Sequence, residues 1–86
     1  MEVKLIFTKK AQKELRRLDA QTRKRIAIKL KYYLEQEDPL EYARSLVHSS
    51  LGSYSFRIGH YRIAFDIKGS DYIIVSVIHR KDAYKK

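Results

Sequence analysis

Hydrophobic side chains at the start of the chain form a short run and then recur at helical spacing. Residues 3–7 are mostly apolar and predict a strand. Thr8 suits the N-cap of a helix, because its hydroxyl can accept a hydrogen bond from a backbone N–H. Ala11, Leu15 and Leu18 follow at intervals of four and three residues, which is the period of an α-helix.

A second helix is predicted from Asp19, another N-cap residue, to about Glu37. Asp38-Pro39 should end it, because the residue before a proline is disfavoured in helical geometry. The apolar stripe of this helix consists of Ile26, Leu30, Tyr33 and Leu34. Two consecutive helices with a tight connection predict an antiparallel helical hairpin.

The second half of the chain alternates between apolar and polar residues, as half-buried strands do. Residues 54–58 and 61–67 follow this pattern and are separated by Gly59-His60. A two-residue connection that begins with glycine predicts a type II′ hairpin turn. Residues 68–71 predict the next turn. Residues 72–78 are almost continuously apolar, which is typical of a central strand covered on both faces.

The order of predicted elements is β-α-α-β-β-β. It indicates an α+β fold, in which an antiparallel sheet carries the N-terminal helical hairpin on one face. A chain of 86 residues suits one domain, residues 1–86. The absence of cysteine excludes disulfides, thiolate zinc sites and a cysteine nucleophile. Without a signal-peptide pattern or an apolar run long enough for a bilayer, we expect a cytoplasmic protein with no membrane partner.

Charge is large and unevenly distributed along the chain. Nineteen Lys and Arg residues against ten Asp and Glu residues give a net charge of +9. Residues 9–31 hold ten basic and two acidic residues, whereas residues 32–56 hold one basic and four acidic residues. This segregation favours an anionic partner, such as a nucleic acid or an acidic protein, over a basic surface that is merely solvated.

Basic residues of the predicted helices lie mostly on exposed helix surface, where they can also contact a nucleic-acid backbone without sequence preference. We predict an RNA- or ribosome-binding surface made of Lys9, Lys10, Lys13, Arg16, Arg17, Arg23, Lys24 and Lys81. The histidines at positions 48, 60 and 79 show no metal-ligand spacing. We therefore expect neither a metal nor another cofactor.

Two arginines are predicted to lie side by side on the hairpin. If Gly59-His60 is the turn, Arg57 is directly opposite Arg62 on the face away from the helices. Like charges at paired positions are destabilising, so the pair suggests a bound anion, most simply a phosphate. Alternatively, one arginine turns away, or a carboxylate such as Asp66 or one from the C-terminal tail lies between them.

A histidine and an arginine follow the last predicted strand. Pairing across the second turn places Arg62 opposite Val77, with His79 one step further on the same face. A slip of one residue would exchange His79 for Arg80 on that face. RNA cleavage needs a proton acceptor and cationic donors at the phosphate, so these residues are catalytic candidates. Tyr84 is within reach if the tail folds back, although it could equally pack against the sheet.

Two motifs carry a resemblance to a known family. One is the Arg-x-Gly-x-Tyr-Arg sequence of the hairpin at residues 57–62, and the other is the His-Arg-x-x-x-Tyr sequence at residues 79–84. With the opening strand, the basic helical hairpin and Asp38-Pro39, they cover essentially the whole chain. The sequence resembles the RelE/ParE superfamily of toxins from type II toxin–antitoxin systems, and is most similar to the RelE branch, including its archaeal-type members.

The resemblance implies a small toxin that enters the ribosomal A site and cleaves mRNA without a metal. It also implies a small, acidic, partly helical antitoxin that wraps around the toxin, and a complex that contacts operator DNA through the antitoxin. Residue by residue, Arg62 matches the hairpin arginine that contacts the scissile phosphate, and Arg57 matches a basic residue of the preceding strand. Arg80, or His79 after a slip of one residue, matches the terminal arginine, and Tyr84 matches the C-terminal tyrosine.

One departure from the RelE pattern keeps other functions open. Well-studied RelE members carry several lysines on the strand before the hairpin, whereas here Ser55 and Arg57 stand there. Other members of the superfamily inhibit DNA gyrase, and others have lost toxicity. The alternatives are therefore a gyrase inhibitor that acts by protein binding, and a non-toxic partner whose role is in an operator-binding complex.

Overall fold

A computed structural model describes residues 4–46 and 52–82 of the chain. This part contains five strands, two α-helices and a 3₁₀ helix. In chain order they are β1 (Lys4–Phe7), α1 (Lys9–Arg16), α2 (Ala20–Leu34), the 3₁₀ helix (Pro39–Tyr42), β2 (Ala43–Ser45), β3 (Tyr54–Ile58), β4 (Tyr61–Lys68) and β5 (Asp71–His79). No helix among the described residues is both long enough and apolar enough to cross a membrane.

Both predicted N-caps are confirmed. The Thr8 hydroxyl accepts a hydrogen bond from the backbone N–H of Ala11 at 3.1 Å and so begins α1. The Asp19 carboxylate accepts from the backbone N–H of Thr22 at 3.2 Å and so begins α2. Hydrogen bonds from the Thr22 hydroxyl and backbone lower the pKa of Asp19 below its ordinary value, because they stabilise the charged carboxylate.

The end of α2 differs from the prediction. The helix stops at Leu34 rather than near Glu37. The side chain of Gln36 donates a hydrogen bond to the carbonyl of Tyr32 at 2.9 Å, and the backbone N–H of Glu35 donates to the same carbonyl at 3.3 Å, so both help to close the end of the helix. Asp38 has an extended backbone, as a residue before proline should, and it caps the 3₁₀ helix instead of ending α2.

The strands form one sheet in the order β1-β5-β4-β3-β2. The α+β class and the order of the predicted elements are confirmed, but the sheet is mixed rather than wholly antiparallel. β1 runs parallel to β5, with Lys4 paired to Asp71 and Phe7 to Ile74, whereas the other neighbouring strands are antiparallel. Tight turns connect β3 to β4 and β4 to β5, so these neighbours are antiparallel. Both helices follow β1 before the chain returns to the sheet, and a long connection of this kind permits a parallel neighbour.

The predicted register of the first hairpin is confirmed. Ile58 pairs with Tyr61, and Arg57 pairs with Arg62. Gly59 has a φ of 60°, which the first central position of a type II′ turn requires and which most side chains disfavour.

The predicted register between β4 and β5 holds near their turn and then shifts. A β-bulge between Ala64 and Phe65 inserts one extra residue of β5. Arg62 therefore pairs with Ile78, and the predicted pairing of Arg62 with Val77 is wrong by one residue.

The bulge lies where β1 ends and α1 takes over the edge of β5. The Thr8 hydroxyl donates to the carbonyl of Val75 at 3.2 Å. The Glu14 carboxylate accepts from the backbone N–H of Val77 at 2.9 Å. Polar groups of α1 and of its N-cap thus replace the missing strand neighbour beyond Ile74, and protect this edge of the sheet.

The core lies between the helical hairpin and one face of the sheet. Phe56 and Phe65 stack with their ring centroids 4.5 Å apart, and Tyr33 of α2 stacks on Phe56 at 5.0 Å. The buried residues that form the rest of this core include Ala11, Ile26, Leu30, Ile58, Ile63, Tyr72, Ile74 and Val77. Because side chains alternate along a strand, the residues between these positions on β3 and β4 belong to the opposite face of the sheet.

Candidate functional site

A small cavity lies on the face of the sheet away from the helices. It has a volume of about 210 Å³, and its charged and polar lining residues are Glu41, Tyr42, Arg44, Ser55, Arg57 and Arg62. The pairing of β3 with β4 brings Arg57 beside Arg62, and the pairing of β2 with β3 brings Arg44 beside Ser55. Three strands therefore place three guanidinium groups around one cavity, which we call the arginine cavity.

Positive charge dominates the arginine cavity. Among its described lining residues, Glu41 supplies the one carboxylate against three guanidinium groups. Arg44 and Arg57 are exposed and form no hydrogen bond or ion pair with any residue in the ranges 4–46 and 52–82. Guanidinium groups bind phosphate through paired N–H donors, so the cavity can hold a phosphate group.

The carboxylate that was considered as a bridge between the arginines has other partners. Asp66 accepts hydrogen bonds from the backbone N–H of Ser53 at 2.8 Å and from its hydroxyl at 2.9 Å. These bonds hold the chain just before β3, and Asp66 does not line the arginine cavity.

Tyr42 contributes a hydroxyl at the rim of the arginine cavity. Partial burial, the neighbouring Tyr32 and the negative charge of Glu41 raise the pKa of this hydroxyl above its ordinary value. Its ring stacks on Tyr33, with centroids 5.0 Å apart. The hydroxyl therefore stays protonated at neutral pH.

The sequence pattern did not predict Glu41, Tyr42 and Arg44 as members of this site. The sequence signal that could have predicted β2, and with it Arg44, is the alternation of polar and apolar residues after Pro39, which covers only the three residues of β2. That length is too short to predict a strand from its pattern, so nothing in the sequence placed Arg44 beside the hairpin.

The structure brings together Arg57 and Arg62 but separates His79 from them. His79 pairs with Tyr61, and their rings meet edge to face with centroids 5.1 Å apart. Tyr61 belongs to the core-facing side of β4, so His79 does too. Because side chains alternate along a strand, Arg80 follows Ile78 on the face that carries Arg62. Arg80 thus takes the place first predicted for His79, as a register slip of one residue would require. Tyr84 lies outside the described residues.

Two of the predicted RNA-binding residues have structural partners. The ammonium of Lys10 lies 3.1 Å from the Glu14 carboxylate and donates to the Ser76 hydroxyl at 3.0 Å. The guanidinium of Arg23 donates to the carbonyls of Arg16 and Leu18, and so caps the end of α1. The remaining predicted basic residues are all exposed, namely Lys9, Lys13, Arg16, Arg17, Lys24 and Lys81.

Comparison with known proteins gives a family and two similar folds. A family model described as the ParE toxin of the type II toxin–antitoxin system parDE matches residues 5–84. The toxin–antitoxin complex RelBE2 from Mycobacterium tuberculosis contains a similar chain, with 25% sequence identity, a TM-score of 0.71 and 93% of each chain covered. The RelB–RelE antitoxin–toxin complex from Methanococcus jannaschii contains another, with 25% identity, a TM-score of 0.71, and 93% of this chain and 95% of that one covered. No curated protein sequence matches significantly.

Proposed function

The chain belongs to the ParE toxin family of type II toxin–antitoxin systems, and we propose that it is a cytoplasmic toxin that cleaves mRNA on the ribosome without a metal. The observation that carries this proposal is the arginine cavity. Arg44, Arg57 and Arg62 surround a space of about 210 Å³, and the scissile phosphate of an RNA is an anion that such a group of guanidiniums can bind.

Cleavage would proceed by attack of the adjacent 2′-oxygen on phosphorus. The new O2′–P bond forms as the P–O5′ bond breaks, which leaves a 2′,3′-cyclic phosphate and a 5′-hydroxyl. Negative charge increases on the phosphate oxygens in the transition state, and fixed cationic donors lower its energy. We assign this role to Arg57 and Arg62, with Arg44 and Arg80 as further donors.

The proton of the 2′-hydroxyl needs an acceptor near the phosphate. Glu41 supplies a carboxylate in the lining of the arginine cavity, so we assign it this role. His79 fits the role less well, because it is on the core-facing side of β4 and its Nδ1 already accepts from the backbone N–H of Lys81 at 3.2 Å. The departing 5′-oxygen takes up a proton, for which Tyr84 stays our candidate donor.

The ribosome would supply the positioning of the RNA. The cavity is open and small, and its described lining gives an RNA chain few contacts beyond one phosphate. Holding the 2′-oxygen in line with the departing oxygen accounts for a large part of the acceleration in such reactions. We therefore expect slow cleavage of free RNA and fast cleavage of mRNA in the ribosomal A site.

The test is a cleavage assay on translating ribosomes with purified protein. We expect the wild-type protein to cut mRNA and Arg62→Ala to be about 100- to 1,000-fold slower. Arg25→Ala is the matched control, because Arg25 is an exposed arginine of α2 that does not line the cavity. Equal cleavage by Arg62→Ala and the wild-type protein, per folded molecule, would contradict the proposal.

Inhibition of DNA gyrase is the second candidate function. The match to a ParE toxin model favours it, since members of the wider superfamily include gyrase inhibitors. Gyrase supercoiling in the presence of the purified protein distinguishes the two. Loss of supercoiling with intact mRNA would establish the second function, and loss of neither would leave the role of a non-toxic partner in an operator-binding complex.

The partner that we propose is a small, acidic, partly helical antitoxin, through which the complex would contact operator DNA. Both similar structures are toxin–antitoxin complexes. On this chain, the outer face of α2 exposes Ile28 by 60% and Tyr32 by 48%. Lys24, Arg25 and Lys29 surround these two side chains in a shallow groove. An apolar segment with acidic neighbours complements this groove in both polarity and charge.

A further inference from the structure

Three rings cluster at the tip of the β3–β4 hairpin. His60 is in the turn, Tyr61 begins β4, and His79 ends β5. The imidazoles of His60 and His79 are nearly parallel, with an interplanar angle of 16° and centroids 6.0 Å apart. We call these two imidazoles the histidine pair.

Neighbouring groups hold the histidine pair in place. Tyr61 meets the His79 ring edge to face at 5.1 Å, and Nδ1 of His79 accepts from the backbone N–H of Lys81 at 3.2 Å. The carbonyl of His60 accepts from the backbone N–H of Arg80, which joins the turn to the end of β5. His79 is therefore fixed on two sides, whereas the His60 ring lies on an exposed turn.

We infer that the histidine pair is a stacking site for a nucleobase of the RNA whose phosphate occupies the arginine cavity, an inference that rests on the proposed function. The two imidazoles stack on each other, so a base stacks on the outer face of the exposed His60 ring rather than between the rings. His79 supports that ring from its inner side.

The histidine pair lies next to the arginines along the hairpin, although His79 is on the other face of the sheet. Arg57 and Arg62 form the register pair next to Ile58 and Tyr61, which flank the turn. A phosphate held by the arginines therefore lies one residue pair from the tip, and a single strand that continues over the exposed turn brings a neighbouring base to the His60 ring. Arg80 and Lys81 follow His79 and add positive charge beside the tip. Aromatic platforms next to cations are how proteins bind unstacked bases.

The test uses a short RNA that contains one 2-aminopurine, whose fluorescence is quenched by stacking. We expect the wild-type protein to quench it, and His60→Ala to lose the quenching and weaken binding about 5- to 100-fold. His60→Phe should restore both, because it keeps a flat ring. An RNA with an abasic site at the same position should bind the wild-type protein and His60→Ala equally, since it retains only its phosphate contacts.

Two controls keep the result specific. Tyr32→Ala removes an exposed aromatic ring of α2 that makes no ring contact with either histidine, and it should leave the quenching unchanged. His60 is in an exposed turn, so its substitution is tolerated by the fold even if His79→Ala disturbs the end of β5.

Several results would overturn the inference. Quenching by His60→Ala equal to the wild type, or a failure of His60→Phe to restore it, would show that no ring stacks there. Weaker binding of an antitoxin to His60→Ala, with RNA quenching intact, would assign the pair to the protein partner. Loss of cleavage on ribosomes with intact quenching would instead contradict only the proposed function.

Discussion

Arg57 is a charged residue that adds nothing evident to the stability of the fold. It is exposed, faces Arg62 across the hairpin, and forms no hydrogen bond or ion pair with the residues of ranges 4–46 and 52–82. Two cations at directly opposed positions repel each other. Such a residue is best explained by an anion that binds to it.

Arg57→Gln should therefore separate binding from stability. We expect cleavage on ribosomes to fall about 100-fold or more, because one fixed cationic donor is lost at the phosphate. The free energy of unfolding should stay constant or rise by about 0.2–1 kcal/mol, since the repulsion with Arg62 disappears. Arg57→Lys, which keeps the charge, is the control for thermal melting. A marked loss of stability in Arg57→Gln alone would point to a structural role.

Glu41 gives a second prediction at the level of a single residue. Glu41→Gln keeps the size of the side chain but cannot accept a proton, so we expect ribosomal cleavage to slow by about 100- to 10,000-fold. Binding of RNA should hold or improve, because the one described carboxylate of the cavity is removed. Glu37→Gln is the control, since Glu37 is exposed in the same acidic segment but does not line the arginine cavity. Equal slowing by both variants would argue against Glu41 as the proton acceptor.

At the scale of elements, α1 protects the edge of β5. Glu14 accepts hydrogen bonds from the Val77 backbone N–H and the Ser76 hydroxyl, and it pairs with Lys10. Ser76 is fully buried, so its hydroxyl depends on these partners. Lys10 and Glu14 thus belong to the scaffold that sets the register of β5, rather than to an open basic surface.

Glu14→Gln should destabilise the protein by about 1.5–3 kcal/mol, the range for hydrogen bonds that involve a charged group. A glutamine retains one acceptor oxygen but loses the ion pair with Lys10. The measurement is urea unfolding, with Lys13→Gln as a control on an exposed position of the same helix. Equal midpoints for Glu14→Gln and Lys13→Gln would show that the Glu14 contacts contribute little.

The Asp19 N-cap makes the stability of α2 depend on pH. Its pKa in the folded protein is lowered by hydrogen bonds from Thr22. A depressed carboxyl pKa means that the stabilisation is complete above the unfolded value, near 3.8, and is lost as the pH falls through the folded value. We expect Asp19→Ala to melt below the wild type at pH 7, with a difference that shrinks in strong acid. A difference independent of pH would contradict the role of the charge.

Local signals made part of this architecture predictable. The two-residue turn at Gly59-His60 fixes the register of β3 and β4, so the Arg57–Arg62 pair followed from the sequence. The bulge in β5 did not, because it depends on contacts from Thr8 and Glu14, more than sixty residues away. The parallel pairing of β1 and the short β2 are equally long-range. The sequence pattern therefore did not predict Arg44 in the site, and the missed bulge placed His79 on the wrong face of the sheet.

At the scale of the whole molecule, a chain of aromatic rings joins the two proposed binding surfaces. The groove on α2 is on the helical side of the sheet, and the arginine cavity is on the other. Tyr32 lines the groove, Tyr42 lines the cavity, and their ring centroids are 6.2 Å apart. A segment that binds along α2 can therefore continue past Tyr42 to the arginines, and one extended antitoxin could block the RNA site.

The net charge of +9 leads to a prediction about how fast such an antitoxin binds. Complementary charge speeds encounter, whereas buried apolar contacts slow dissociation. We expect the association rate with an acidic antitoxin to fall about tenfold or more from low to high salt. Stopped-flow fluorescence over a range of salt concentrations measures this directly.

Two variants divide the effect between charge and apolar contact. Replacing Lys24 and Lys29 by Gln should flatten the dependence of the association rate on salt, because both cations border the α2 groove. Ile28→Asp should instead raise the dissociation rate, since it places a carboxylate where an apolar anchor would bind, and its ribosomal cleavage should match the wild type. An association rate that does not change with salt would show that the charge of this chain serves the ribosome and its RNA rather than the antitoxin.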